Sequence, residues 1–258
     1  MSTSFSVFWE QLNENPALAL SVILTLGVLL VNGWTDAPNA IAGAVVTGAL
    51  SFRRAVLLAA GCNFLGVLCV TTVSISVAET VYSIASFHGG PQVTSLALCA
   101  AMASVVVWAA AAWRWGIPTS ESHALVAGLS GAAVALEGSA SCLHGQRWGA
   151  VLLGLVLSTA LGFGAGWWVE QKVQRWSWSP RIFQMLQIPG AAGTAFLHGA
   201  QDGQKFLGVF LLGAALAQGR QGDGIAQVPV WLMVLCAFVM ALGTGVGGRR
   251  IIDTVGHE

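Results

Sequence analysis

From Ala17 to Leu50 the chain carries a single charged residue, Asp36. Apolar stretches recur at 54–78, 94–115, 122–136, 148–170, 183–217 and 229–247. The longer ones reach the ~20 residues that a helix needs to cross a bilayer. None alternates with the period of two that a barrel strand shows. In hydrocarbon every backbone amide must be bonded inside the protein, so helices are the form that remains. Composition agrees. Charged residues make up 9% of the chain and hydrophobic ones 55%, against roughly 25% charged in soluble domains. So few charges cannot cover a globular surface, and lipid is the solvent. The expected fold class is an all-α polytopic membrane protein. The formal net charge is zero, and no basic block offers a footing for nucleic acid.

The first residues hold Glu10 and Glu14 and no Lys or Arg, which does not match the basic start of a signal peptide. Phe5, Phe8, Trp9 and Leu12 share one helical face. Residues 1–15 are expected to form a short interfacial helix, stopped by Pro16. The five cysteines form no CxxC pair, so neither a disulfide frame nor a metal site is expected. Arg53 and Arg54, then Lys172, Arg175 and Arg181, then Arg249 and Arg250 mark cytoplasmic loops. The loop 79–93 has no Lys or Arg and is placed outside. GTGVGG at 243–248 reads as a helix end rather than a phosphate loop, because it follows a helix and lacks the Walker lysine.

Three polar breaks interrupt the apolar runs. The first is NGWTDAPNAI at 32–41, the second GIPTSESHALVAG at 116–128, and the third HGAQDGQK at 198–205. With the loops oriented as above, the run 17–50 and the run 183–217 cross in opposite directions. Each is expected to be broken, near 33–39 and near 198–205. Aligning 32–50 with 198–216 matches Gly33 with Gly199 and Asp36 with Asp202. Two broken helices of opposite direction are the mark of an inverted-repeat transporter fold with discontinuous helices. The runs 94–115 and 122–136 are expected to form a re-entrant hairpin, dipping in and returning. The chain then divides into the 1–15 helix, a first repeat with its linking transmembrane helix over 16–170, and a partial second repeat over 171–258.

A carboxylate at membrane depth is costly unless paired or hydrated, so Asp36 and Asp202 are candidate site residues. Pro38 suits the first turn of a new half-helix. The amides freed after Asp36 are expected to attract an anion, while carboxylates hold a cation. Thr119 and Ser120 are expected N-caps for the helix beginning near Ser122. Glu121 and His123 are candidates for cation binding or proton transfer. Lys205 takes the place that Asn39 holds in the first repeat, and an ion pair with Asp202 is its expected role.

These motifs resemble the PiT family of inorganic phosphate transporters. GWTDAPNA resembles the family's Gly-x-x-Asp-x-x-Asn-Ala motif, PTSESH its Pro-Thr-Ser-x-x-His hairpin, and HGAQDGQK the opening of its second repeat. The resemblance spans roughly residues 20–256. It implies symport of inorganic phosphate with Na+ or H+ through a multi-pass protein of the cell membrane. It implies that Asp36, Asn39, Thr119, Ser120, Ser122 and Asp202 line the ion and phosphate sites. Gln201 and Thr35 stand where the family often has Asn, and both still offer oxygen ligands. Asp36, Glu121, His123, Asp202 and Lys205 are the residues expected to couple the cation or proton. No catalytic residue and no cofactor are expected, apart from Na+ as a coupling ion. The family's second hairpin would fall beyond Glu258. A second polypeptide, a second copy of the chain or a longer parent protein would supply it.

Three other readings compete. The first is transport of another oxyanion such as sulfate. The second is a non-transporting or partial subunit of a split transporter. The third is an intramembrane protease built on GLSG at 128–131, with Ser130 as nucleophile and His198 as base.

Overall fold

A computed structural model describes residues 4–115, 120–225 and 227–246, without the side chains of Ala37, Pro38 and Trp113. Among these residues the regular structure is helical, apart from one isolated bridge between Ala85 and Leu143. Pro118 and Thr119 of the second break lie outside the described residues, as do Arg249 and Arg250.

Helix α1 (Phe5–Glu14) ends two residues before Pro16. Asn15 then caps α2 (Pro16–Thr35). Its Oδ1 accepts from the Ala17 and Leu18 amides at 3.1 Å, satisfying groups that the helix start leaves bare. Phe5 and Phe8 set their rings 5.4 and 5.1 Å from Trp231, which ties α1 to the end of the bundle.

A one-residue interruption at Asp36 separates α2 from α3 (Ala37–Val46). Pro38 has no N–H to give the Trp34 carbonyl, so the ladder fails there. The interruption is smaller than the sequence suggested. The Asp36 amide still donates to the Asn32 carbonyl at 3.0 Å, and the Asn39 amide to the Asp36 carbonyl at 3.1 Å. Those two amides are therefore not free for an anion.

Helix α4 (Phe52–Val73) returns across the bundle, and the short α5 (Ser76–Tyr82) follows. Helices α6 (Pro91–Trp115) and α7 (Glu121–Glu137) pack as a hairpin. Gly128 permits the approach, since a Cβ there would lie 3.1 Å from the Ala101 carbonyl oxygen. α7 stops at Gly138, whose φ of +69° suits glycine. Helix α8 (Gly145–Val173) buries none of its residues. In a bilayer its apolar surface meets lipid.

Helix α9 (Pro180–Ala217) is continuous, which corrects the expected break near 198–205. The aligned positions explain the difference. Where α2–α3 has Pro38, α9 has Gln204, which keeps its amide and leaves the ladder intact. The C-terminal half of α9 is buried almost throughout and forms the axis of the core. Helix α10 (Val230–Val246) completes the described chain. Among the described residues, four segments are long and apolar enough to cross a membrane: the kinked Pro16–Val46, Phe52–Val73, Pro91–Ala112 and Gly145–Val173. The protein is a polytopic all-α membrane protein.

The two Gly-x-x-Asp segments are packed alike. Gly33 faces the α10 backbone around Gly243, and a Cβ would lie 3.1 Å from the Thr244 nitrogen. Gly199 faces the α4 backbone, and a Cβ would lie 2.6 Å from the Asn63 Cα. Gly243 abuts the Leu30 carbonyl, and Gly66 abuts the Phe196 carbonyl at the matching place. So α2 lies against α10 as α9 lies against α4, which is the pairing expected of two interlocked repeats. Glycine at each contact lets backbones approach to where any side chain would intrude.

Candidate functional site

Asn32 is the hub of a buried polar cluster. It lies one turn before Asp36 on α2 and is 1% exposed. Its Nδ2 is 2.9 Å from Asp202 Oδ2, 3.2 Å from Asp36 Oδ2 and 3.3 Å from Glu121 Oε2. One NH2 group has two hydrogens for these three carboxylate oxygens. Thr35 Oγ1 adds a hydrogen bond to Glu121 Oε1 at 3.0 Å. Three carboxyl groups, from the α2–α3 junction, α7 and α9, thus meet in the bundle. Asp202 and Glu121 are 6% and 5% exposed.

Asp202 is held on both oxygens. Lys205, one turn on along α9, places its ammonium between Asp202 Oδ1 and Ser122 Oγ. That is the ion pair expected from the sequence. On the other side, His198 Nε2 lies 3.3 Å from Asp202 Oδ2. A chain of hydrogen bonds sets the histidine's tautomer. Thr244 donates to the Met240 carbonyl at 3.0 Å and accepts from Asn63 Nδ2 at 2.9 Å. Asn63 then offers its Oδ1 to His198 Nδ1 at 3.2 Å, so Nδ1 carries the hydrogen. The lone pair of a neutral ring at Nε2 then faces a carboxylate. Such an arrangement calls for a cation or a proton between them. Neither His198 Nε2 nor Asn32 Oδ1 has a hydrogen-bond partner among the described residues. Ligand atoms of Asp36, His198 and Asp202 lie within 4.8 Å of one another, close enough to share one ion.

Ser120 is the N-cap of α7, as the sequence suggested, with its side chain accepting from the His123 amide at 3.4 Å. This cap delivers Glu121 and Ser122 to the cluster. The structure therefore brings together Asp36, Glu121, Ser122, Asp202 and Lys205. It leaves Asn39 and Gln201 exposed. His123 is exposed on a groove of about 730 Å³ between α6 and α7, beside Ser104, Trp108 and Gly128. Thr119 lies outside the described residues.

Asn32, Asn63 and Thr244 escaped the sequence reading, and His198 entered it only as a protease base. Asn63 sits alone in an apolar run, and a buried amide inside a membrane span was the available signal. His198 is engaged by Asn63 and Asp202, while the buried Ser130 hydroxyl has no hydrogen-bond partner among the described residues. These contacts give the protease reading no serine–histidine pair.

The model of the phosphate transporter family matches residues 32–179 and 169–258. The chain belongs to the phosphate transporter family. It is 32% identical over 245 residues to a probable low-affinity inorganic phosphate transporter of Bacillus subtilis (strain 168), covering 93% of this chain and 72% of that one. It is 33% identical over 250 residues to the Mycobacterium tuberculosis (strain H37Rv) protein of the same description. That match covers 93% of this chain and 57% of the relative, so this family member spans little more than half of the mycobacterial protein's length. Among solved structures, a sodium-dependent phosphate transporter superposes with a TM-score of 0.73 at 18% identity, covering 93% of this chain and 78% of that one. The likeness establishes a shared fold. The family is one of transporters and not of enzymes.

Proposed function

We propose that this chain carries inorganic phosphate across the cell membrane as a symporter driven by a Na+ or H+ gradient. The observation that supports this most is the charge of the cluster. Asp36, Glu121 and Asp202 converge on Asn32, and Lys205 is the one fixed cation that touches them among the described residues. Phosphate cannot enter beside uncompensated carboxylates in a low-dielectric interior. A cation or proton bound first removes the repulsion, and the anion then adds to the favourable side. Each substrate raises the other's affinity, which is the thermodynamic basis of symport. Phosphate as the anion follows the family and its relatives. With Na+ as the coupling ion, it would be a substrate, and the face shared by Asp36, Asp202, His198 Nε2 and Asn32 Oδ1 offers ligand atoms for it.

The test is radiolabelled phosphate uptake into proteoliposomes holding this chain, under imposed Na+ or proton gradients. Uptake driven by one gradient, and reduced to background in Asp36→Asn, is the expected result. Excess sulfate is expected to leave uptake intact, and full inhibition at equal concentration would replace phosphate with a broader oxyanion specificity. Absence of uptake by folded protein would assign transport to an assembly with a further polypeptide or a second copy of the chain.

A further inference from the structure

We propose that the Lys205 ammonium is a built-in counter-ion that occupies the position of a second coupling cation, so that this chain binds one cation fewer than its two-fold plan provides for. The inference rests on the symport reading above and concerns how many ions that symport uses.

The two repeats set out matching sites. Asn32 and His198 stand at the same place in the aligned segments, and each faces the aspartate one turn further on, Asp36 and Asp202. Gly33 and Gly199 hold matching backbone contacts. The symmetry breaks three residues past each aspartate. The first repeat has Asn39, a neutral side chain that is exposed. The second has Lys205, partly buried, with its ammonium on Asp202 Oδ1 and Ser122 Oγ.

A carboxylate oxygen and a hydroxyl oxygen converging on one point are hard ligands of the kind that small cations take. The ammonium fills that point, and two of its three hydrogens are committed there. It cannot leave with the cargo, because it is tethered to α9. Asp202 therefore keeps one fixed neutralising charge through the cycle. The exchangeable cation is confined to the other oxygen, on the side of Asp36 and His198. There the Asn32 Oδ1 atom, on a residue 1% exposed, is an acceptor without a partner among the described residues. An untethered cation at both places would add a second ion to each transported phosphate.

Counting bound Na+ tests this directly. Full-length protein in detergent is dialysed against radioactive Na+, alongside Lys205→Asn, Lys205→Arg and Lys205→Asn with Ser122→Ala. Lys205→Asn installs the residue of the first repeat and opens the oxygen pair. It is expected to bind one more Na+ per chain than the parent. Lys205→Arg keeps the charge and is expected to show the parent's count. Removing Ser122 Oγ from the asparagine variant is expected to weaken the added site about tenfold or more, the effect of losing one ligand of roughly 1.4 kcal/mol. An unchanged count in folded Lys205→Asn would overturn the proposal. Loss of phosphate binding in that variant at every Na+ concentration, with the count unchanged, would make Lys205 an anion ligand instead. Thermal melting covers the case of a poorly folded variant. Rescue of Lys205→Asn by Na+ supports the proposal, and equal instability with and without Na+ overturns it. None of these readouts requires transport, so a failure of the symport reading would show separately, as absent uptake by the parent protein.

Discussion

Asp202→Asn is expected to abolish phosphate uptake and to lower the melting temperature of the purified protein. The carboxylate receives the Lys205 ammonium on one oxygen and the Asn32 amide, at 2.9 Å, on the other. An asparagine there must turn its own NH2 toward one of these donors. Lys205, partly buried, would keep only the neutral Ser122 hydroxyl and no counter-charge, and removing one partner of a buried pair costs about 3–5 kcal/mol. At 1.4 kcal/mol per decade that is roughly a hundredfold or more in any equilibrium the pair supports. The exposed pair of Arg220 with Asp223, at 2.9 Å, is the control. Asp223→Asn is expected to change stability by less than about 1 kcal/mol, as exposed ion pairs do. Uptake by Asp202→Asn above a tenth of the parent rate would remove Asp202 from the centre of the site.

Gly199→Ala and Gly66→Ala are expected each to destabilise the protein markedly, and the double variant by less than the sum. Both glycines lie where α4 meets α9. A Cβ on Gly199 would sit 2.6 and 2.7 Å from the Asn63 Cα and carbonyl carbon. A Cβ on Gly66 would sit 2.9 Å from the Ala200 nitrogen and 3.0 Å from the Phe196 carbonyl carbon. Alanine gains about 1 kcal/mol of helix propensity over glycine. Overpacking costs about 1–3 kcal/mol and sometimes more, and the cost rises when the obstacle is backbone that cannot rotate away. The second effect wins here. Once one methyl has pushed the helices apart, the other meets less resistance, so the costs are not additive. Gly61 on α4 has nothing within 4 Å of its would-be Cβ. Gly61→Ala is therefore expected to be neutral or stabilising. Thermal melts of the four variants decide the matter, and a melting temperature for Gly199→Ala equal to the parent's would contradict the packing assignment. Because α4 also supplies Asn63 to His198, the same displacement is expected to loosen the site.

Much of the site could be read from the chain because carboxylates and a lysine are conspicuous among apolar residues. Asp36, Glu121, Asp202 and Lys205 stand out against lipid-facing sequence, and the cost of burying them is reason enough to look there. Asn32, Asn63 and Thr244 were not legible in this way. Asparagine and threonine are tolerated in membrane helices for many reasons, and only the fold shows that Thr244 and Asn63 link α10 to α4 and α4 to His198, while Asn32 meets three carboxyl groups. Nor did the polar break at 198–205 say whether the backbone itself breaks. The Gln204 amide decided that in favour of a continuous helix, whereas Pro38 interrupted its counterpart.

What the sequence determined alone was the solvent and the helical class, and it raised the expectation of a two-fold plan. Long apolar runs leave the backbone no other way to bond in hydrocarbon, and the matched Gly-x-x-Asp segments mark the repeat. What the tertiary structure decided was which polar groups meet. Asn32 lies far along the chain from Glu121 and Asp202, and only the crossing of α2, α7 and α9 brings one amide within 3.3 Å of all three carboxyl groups. Hydrophobic spacing sets where a helix runs and which face is apolar. The distance between two charges on different helices depends on how closely their backbones pack, and here glycines at the crossings set that distance.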